Sequence, residues 1–471
     1  MMDRNTVDDK NRRFFDLREV PRLFQQPARS LRVLLLADDK HPANAVQDHI
    51  RSFSEYSSHS IAIVNTRFVR SAANYDPDDF DVLVIHYSIF ILEQTYFPAE
   101  WQHFVENFMG VVSVIHEDEY QRVNEFRAAF KKLGVAAVFS CLDSVDTLEK
   151  VYSDEFGIDS SFYFCCLPGY IPETIFNLPC PPISHRTFHI VYRGRTLSPE
   201  LGRFAQEKKL IGDQMTEIAK SHGLRCDISS HENERIYGES WPLFLMSGKA
   251  MLGVEGGASI FDFEGAVKAS VADFRGSNPD ASFDEIWNAV LAPYEGNVEF
   301  RTITPKFFEA IAAGTALVLY PGRFNDVLVA DRHYIPLERD GSNADEVVRK
   351  LLDDDYLQKM ADRTREEVLF NPELSTRFYI EQLDRVLWNL SSRHTIPHLE
   401  RSVRVLSKRC SELYSAVSLA QFERDAARQE LANLKYEVQI LQATVSSEGH
   451  FAEHLKKMLV SRMKRLLRVK Q

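Results

Sequence analysis

The sequence predicts an α/β protein in which two doubly wound parallel sheets face a cleft, followed by a C-terminal α-helical coiled coil. Three observations carry this. Strand-length runs of Val, Ile, Leu and Ala recur without polar alternation, the mark of strands buried on both faces. Segments of helical period separate those runs, as crossover helices separate the strands of a parallel sheet. Beyond residue 395 the apolar positions settle into a three-and-four spacing.

The elements come in this order along the chain. Residues 1–30 read as a polar leader with aromatic anchors, and their mixed charges lack the apolar core of a secretory signal. A first α/β domain over 31–170 opens with the strand LRVLLLADD at 31–39. Further strands are expected at 59–65, 81–88, 110–118 and 134–141, with helices such as PAEWQHFVENFM and EYQRVNEFRAAFKKL between them. Five prolines fall among the nineteen residues 167–185. Proline has no amide donor and cannot continue a helix or a central strand, so 171–188 reads as a linker. A second α/β domain spans 189–395: the strand HIVYRG at 189–194, a helix at 202–222, the strand MLGVEGG, a helix at 304–314 and a strand at 315–322. Ligands of such sheets bind beyond the carboxyl ends of the strands, so both halves can point loops into one cleft.

The tail has its own pattern. From Leu399 to Val445 apolar residues alternate four and three apart, with Arg424 alone breaking the seam. Nearly seven heptads imply a coiled coil over 396–447, about 70 Å long, and hence a homo-oligomer. A helix lying along its own globular body is the alternative, although such a helix drifts toward a 3.6 period. The last segment, 449–471, carries seven Lys/Arg and no acid between 456 and 471. With its apolar side it reads either as a basic amphipathic helix resting over 451–471 on an anionic membrane surface or as a solvated continuation of the coil.

Composition bounds the function. The 471 residues suggest about three structural units. Hydrophobic residues at 44% and charged residues at 26% are ordinary globular usage. Fifty-six Lys+Arg against 68 Asp+Glu give a net charge of −12, which argues against a protein that coats nucleic acid. No run of 18 apolar residues suggests a membrane span. The six cysteines form no CxxC pair and have no His partners at zinc spacing, and vicinal Cys165–Cys166 reads as buried packing. The expected location is cytoplasmic, or peripheral at the inner face of a membrane.

The chemistry concentrates in RTITPKFFEAIAAGTALVLYPG at 301–322. Thr304 is placed to cap a helix whose first position is Pro305, a favourable start because proline's missing donor is one of the unpaired ones. Glu309 then falls among Phe307, Phe308 and Ile311, where a carboxylate is costly without a partner. Gly314 and Gly322 end the helix and the next strand, where backbone can approach a ligand. Glu309 on the exposed face of a capped surface helix is the plain alternative.

This segment, with HYIPLERDGSNADEVVRKLLDD after it, resembles the donor site of GT-B glycosyltransferases, which have two Rossmann-like domains. The likeness is nearest to the family-4-type and spore-maturation-protein (CgeB)-like groups found in surface polysaccharide biosynthesis. It extends over about 185–390, more loosely over 31–184, and not over the tail. The resemblance implies that Glu309 holds the ribose of a nucleotide-sugar donor, and that Lys306, Gly314, Thr315, His333 and Tyr334 border the donor. YRGRTLSPELGRFAQEKKLIG resembles the same group's phosphate-binding region, which gives Arg195 and Lys208 the diphosphate. Departure of a nucleoside diphosphate builds negative charge that fixed cations stabilise. Where the family has a further Glu eight residues before the ribose-binding one, this chain has Arg301. Glu255 in MLGVEGG is the replacement candidate, either touching the donor sugar or capping its loop, and about 45 residues intervene. In the first domain His86 and Asp118 end strands on the acceptor side, the latter in HEDEY, which resembles a segment of related polysaccharide-cluster transferases.

Other motifs carry less. Asp76-Pro77-Asp78 has metal-binding spacing but sits in a turn-like NYDPDDF, and no P-loop or GxGxxG follows the first strand. No metal site and no cofactor are expected, the nucleotide sugar being a substrate. The function implied is a metal-independent transferase that moves a sugar from a nucleotide-diphosphate donor to a saccharide or lipid-linked acceptor, with a retaining outcome implied by the resemblance alone. The alternative is a GT-B-like binding or scaffold protein, catalytically inactive and oligomerised by its coil; a nucleotide-sugar epimerase on the same fold is a third reading.

Overall fold

The computed structural model describes residues 12–153 and 161–393, with isolated helical positions between 407 and 439. The coiled coil expected at 396–447 lies outside the described residues apart from those positions, and the basic segment 449–471 lies wholly outside them.

The first sheet has seven strands: β1 (Phe14–Asp16), β2 (Arg32–Leu36), β3 (Ser60–Val64), β4 (Val82–Ile85), β5 (Val111–His116), β6 (Val135–Ser140) and β7 (Phe162–Cys165). Their order is β1-β7-β6-β5-β4-β2-β3, and every neighbouring pair is parallel. The central strands are apolar along their whole length because both faces are covered, and Leu34, Leu83, Val84 and Val138 have no exposed surface. The expected leader is corrected here. Phe14–Asp16 pairs with Phe162–Cys165 at the sheet edge, and Phe15, Leu17, Val20 and Phe24 enter the core.

The second half has β8 (Phe188–Arg193), β9 (Cys226–Ser229), β10 (Gly248–Gly253), β11 (Gly256–Ala258), β12 (Phe300–Thr302), β13 (Ala316–Leu319) and β14 (Ile335–Pro336). Five of these form a parallel sheet in the order β14-β13-β10-β8-β9, while β11 and β12 make a separate antiparallel pair. Both sheets reverse direction beside their first long strand, between β2 and β4 and between β8 and β10. That is where loops diverge and leave a crevice.

Three connections tie the halves together. Residues 171–188 are packed down rather than free: buried Ile171 donates its amide to Leu374, and the Arg186 guanidinium is satisfied by neutral acceptors, among them Thr315 Oγ1 at 2.7 Å. The helix Thr376–Arg393, expected within the second domain, packs on the first sheet, where Tyr379, Ile380, Leu383, Val386, Leu387 and Leu390 share a core with Leu35 and Ile115. The third is the segment between β11 and β12. It builds a small core of its own around Ile260, Val267, Val271, Ile286 and Leu291, yet sends Phe261, Val298 and Phe300 into the core of the first sheet. Its backbone runs beside residues 120–124: Asp262 N–H donates to Tyr120 O at 2.8 Å and Asn124 N–H to Phe263 O at 3.1 Å. Among the described residues no helix is long and apolar enough to cross a membrane.

Candidate functional site

The cleft between the two reversal points has a volume of about 430 Å3. Its second-sheet wall is built from three short stretches. β8 ends at Arg193, and the chain turns through Gly194, where a Cβ would stand 2.7 Å from both Ser230 Oγ and the Tyr192 ring. No larger residue fits, so the turn brings Arg195 to the cleft. The helix Arg203–His222 then presents Lys208 one layer deeper, its carbonyl tied to Tyr192 Oη at 2.6 Å. The helix Pro305–Ala312 supplies Lys306 and Glu309, and Lys306 Nζ lies 4.9 Å above the Tyr192 ring.

The charges are strained by burial. Lys208 is pushed below the ordinary lysine range by burial, with Arg195 adding to the shift and Asp118 opposing it. Lys306 is pushed down to about 7, first by burial and then by Lys208. Glu309 goes the other way, up to about 7, because burial outweighs the Trp241 indole N–H that donates to its Oε2 at 2.7 Å. Cations forced toward neutrality beside one another accept an anion favourably, since it repays their repulsion. Thr304 does occupy the cap position before Pro305, but its hydroxyl caps nothing; Oγ1 is buried without a partner, while Phe307 N–H donates to Thr304 O at 3.0 Å. Arg235, Tyr237 and Trp241 close the far end of this wall. None of the three was singled out from the sequence, where ENERIYGESW shows no motif.

Across the cleft stands the end of β5. Asp118 is exposed and adopts a left-handed φ of 57°, uncommon without glycine, and it accepts a hydrogen bond from Tyr120 Oη at 2.6 Å. Tyr120 is in turn held by the backbone of Asp262. His86, at the end of β4, is fully buried, and its Nε2 meets His49 Nδ1 at 2.9 Å rather than the cleft.

Arg195, Lys208, Lys306 and Glu309 therefore meet at one site, with Asp118 opposite. The other expected residues do not reach it. Glu255 is 3% exposed, and its Oε1 accepts from Phe324 N–H at 2.6 Å; it braces the loop after β13, the second of its two expected roles. Arg301 lies over the Phe204 ring at 4.1 Å. Gly314 is the left-handed stop of the helix, at the end away from the cleft, with φ 65°. Thr315 Oγ1 accepts from Arg186 and donates to Leu245 O, a buried structural link. His333 is 6% exposed and bonds Glu367 at 2.7 Å, while Tyr334 packs on Phe324 in the core. The resemblance put the last four at the donor border; Gly314 and Thr315 lie at the far end of the helix, and His333 and Tyr334 are engaged by Glu367 and Phe324 away from the residues lining the cleft.

No family model matches the chain, and no curated protein matches it. Among solved structures the chain is similar to an alpha-glucosyltransferase in complex with UDP-glucose and DNA containing an abasic site, at 10% identity and a TM-score of 0.45, over 72% of this chain and 95% of that one. It is similar to HepE of Anabaena in complex with UDP-glucose, at 10% identity and a TM-score of 0.43, over 77% and 100%. It is also similar to TarM of S. aureus, in a complex containing UDP, at 11% identity and a TM-score of 0.37, over 65% and 55%.

Proposed function

We propose that this chain is a GT-B-type glycosyltransferase that takes a nucleotide-diphosphate sugar in the cleft of the second sheet and an acceptor from the side of the first. The observation that carries the reading is the convergence of Arg195, Lys208 and Lys306 on one cleft that also holds Glu309. Three cations converging on one cleft suit a diphosphate. As the bond from the sugar to the diphosphate breaks, charge grows on the leaving oxygen, and these groups stabilise it without a metal ion. Glu309, with one oxygen on Trp241 and the other toward the cleft, suits a ribose diol. Asp118, opposite the cations, is placed to take the proton of an acceptor hydroxyl. A retaining course follows from the family resemblance. So does a saccharide or lipid-linked acceptor in surface glycan assembly, with oligomerisation through 396–447 and membrane contact through 451–471.

One observation favours a second reading, a donor-binding protein without turnover. Glu255 is committed to the loop at Phe324 and Arg301 to Phe204, so neither supplies the second carboxylate of the family pattern.

Melting the protein with UDP-, GDP-, ADP- and dTDP-sugars, with and without EDTA, tests the proposal. A ligand at 100 times its Kd should add about 2.7 kcal/mol to stability. A shift for one base, indifferent to EDTA and lost in Glu309→Ala, is the expected result. No shift with any donor sinks both readings. A shift without donor hydrolysis or transfer selects the second.

A further inference from the structure

Behind Glu309, on the first-sheet side, lies a smaller hollow of about 60 Å3. At roughly 10–15 Å3 per water it holds about four to six solvent molecules. Ala45, Pro305 and Glu309 line both this hollow and the main cleft. The two spaces differ in charge: no Lys or Arg lines the hollow, and Asp48, His49, Glu117 and Glu309 stand there among tyrosines, Thr376, two cysteines and aliphatic walls. Among the described residues Glu117 has only the Cys141 thiol as a side-chain partner, at 3.8 Å. Burial, and then Asp118, holds this carboxyl well above the usual range. A half-buried carboxyl with so weak a protein partner keeps hydrogen-bonding capacity for a group in the hollow.

The state of His49 is set by its neighbours. The backbone N–H of Ser88 can only donate, and it points at His86 Nδ1 from 3.1 Å; the Ser88 hydroxyl, itself accepting from Asp38 N–H, donates to the same nitrogen at 2.8 Å. His86 Nδ1 is therefore an acceptor, and the ring carries its proton on Nε2. That proton is directed at His49 Nδ1, 2.9 Å away, so His49 in turn carries its proton on Nε2. Protonating either ring would set N–H against N–H. Burial pushes His49 down to about 4, and His86, buried beside His49 and His41, also lies well below the usual histidine range. The His49 ring is clamped by Tyr87 and Tyr379, with centroids at 5.6 and 5.0 Å. Its Nε2 makes no hydrogen bond among the described residues.

We propose that this hollow is a subsite for one uncharged hydroxyl or hydroxymethyl group of a sugar, with His49 Nε2–H as the fixed donor and the Glu117 carboxyl as its partner. It rests on the reading of the main cleft as a nucleotide-sugar site. An anion finds no cation there, and an ammonium would set its donors against the His49 N–H. A wholly apolar group would leave Glu117 unmet, and a whole pyranose is too large. The hydroxyl comes either from the donor's sugar or from an acceptor.

Long-range nitrogen–proton NMR of the histidines in the full chain, with His49→Phe, His49→Gln and Glu117→Gln, tests this. Both rings should show the neutral Nε2–H form at pH values well below the ordinary histidine range. The His49 Nε2 resonance should move with UDP-glucose if the donor supplies the hydroxyl, or with methyl α-glucoside if an acceptor does, and stay still with UDP alone. His49→Phe should weaken the sugar that moves it by about tenfold and UDP less than twofold, with His49→Gln restoring most of the loss. A proton on His49 Nδ1, a response to UDP alone, or no response to either sugar overturns the subsite. If UDP and UDP-glucose fail to bind while methyl α-glucoside still moves His49, the nucleotide reading fails and the subsite stands.

Discussion

The two walls of the cleft are made from the same kind of sheet but carry opposite chemistry. The second-sheet wall gathers Arg195, Lys208, Lys306 and Arg235 in the main cleft; on the first-sheet side Asp118 stands near Lys208, and Asp48, His49 and Glu117 line the adjoining hollow. Both sets sit where a doubly wound sheet reverses, so topology alone does not distinguish them. The difference lies in the segments that leave the strand ends. After β8 a glycine turn and a long helix bring up cations, while after β4 and β5 come side chains tied to one another by hydrogen bonds. The cationic wall suits fixed negative charge, and the carboxyls and histidine opposite suit hydroxyls and their protons.

The largest expected effect comes from discharging the cationic wall. Arg195→Ala and Lys208→Ala should each lower kcat/KM for sugar transfer by about a hundredfold or more. Removing charge from the opposite wall should leave nucleoside diphosphate affinity nearly intact. Kinetics on both sets would break the comparison if Asp118→Asn weakened UDP binding as much as Lys208→Ala did.

A smaller effect sharpens it. Lys306, at about 7 in the free protein, is neutral above that pH, and a diphosphate beside it draws a proton back. Below pH 7 the lysine is already charged and binding takes up nothing. Above pH 7 affinity should fall by about tenfold per pH unit. Glu309, also near 7, and Lys208 face the same group and titrate or repel in that range. The control is therefore Lys306→Gln, which should flatten the slope in a calorimetric series from pH 6 to 9.

The smallest effect is expected where sequence placed a donor contact and the fold did not. His333→Ala removes the bond to Glu367, a carboxylate that Arg332 and His333 hold down at about 2, and should lower the melting temperature. Donor affinity should stay within about twofold, because the ring faces away from the cleft. A titration showing a tenfold loss would restore His333 to the site.

Legibility in the sequence depended on whether the information was local. The buried strands read directly because both faces are covered: β2, β3, β4, β5 and β6 fall inside the expected runs, and β8 is offset from its run by one residue. The strand β1 was missed because three residues flanked by charges carry no period, and its pairing with β7 joins positions about 150 apart. Within the site, Glu309 and the two cations after β8 were found through local motifs. Gly314 and Thr315 shared the motif but not the place, since eight helical residues span about 12 Å. His49 was not legible at all. Its ring acquires a fixed donor only through His86 and Ser88, which belong to a different strand-loop unit.

The helix Thr376–Arg393 has a further consequence, for modularity. The chain leaves the first sheet, builds the second, and comes back to finish the first, with Tyr379, Leu383, Val386 and Leu387 closing its core. Neither half is a cassette. A gene cut within 171–188 would encode a first sheet with an open apolar face and a second carrying a greasy helix with nothing beneath it, so neither fragment should be recoverable in soluble form. Recombination can exchange this protein's halves only by exchanging three junctions at once, which fixes the two walls of the cleft as a single inherited unit.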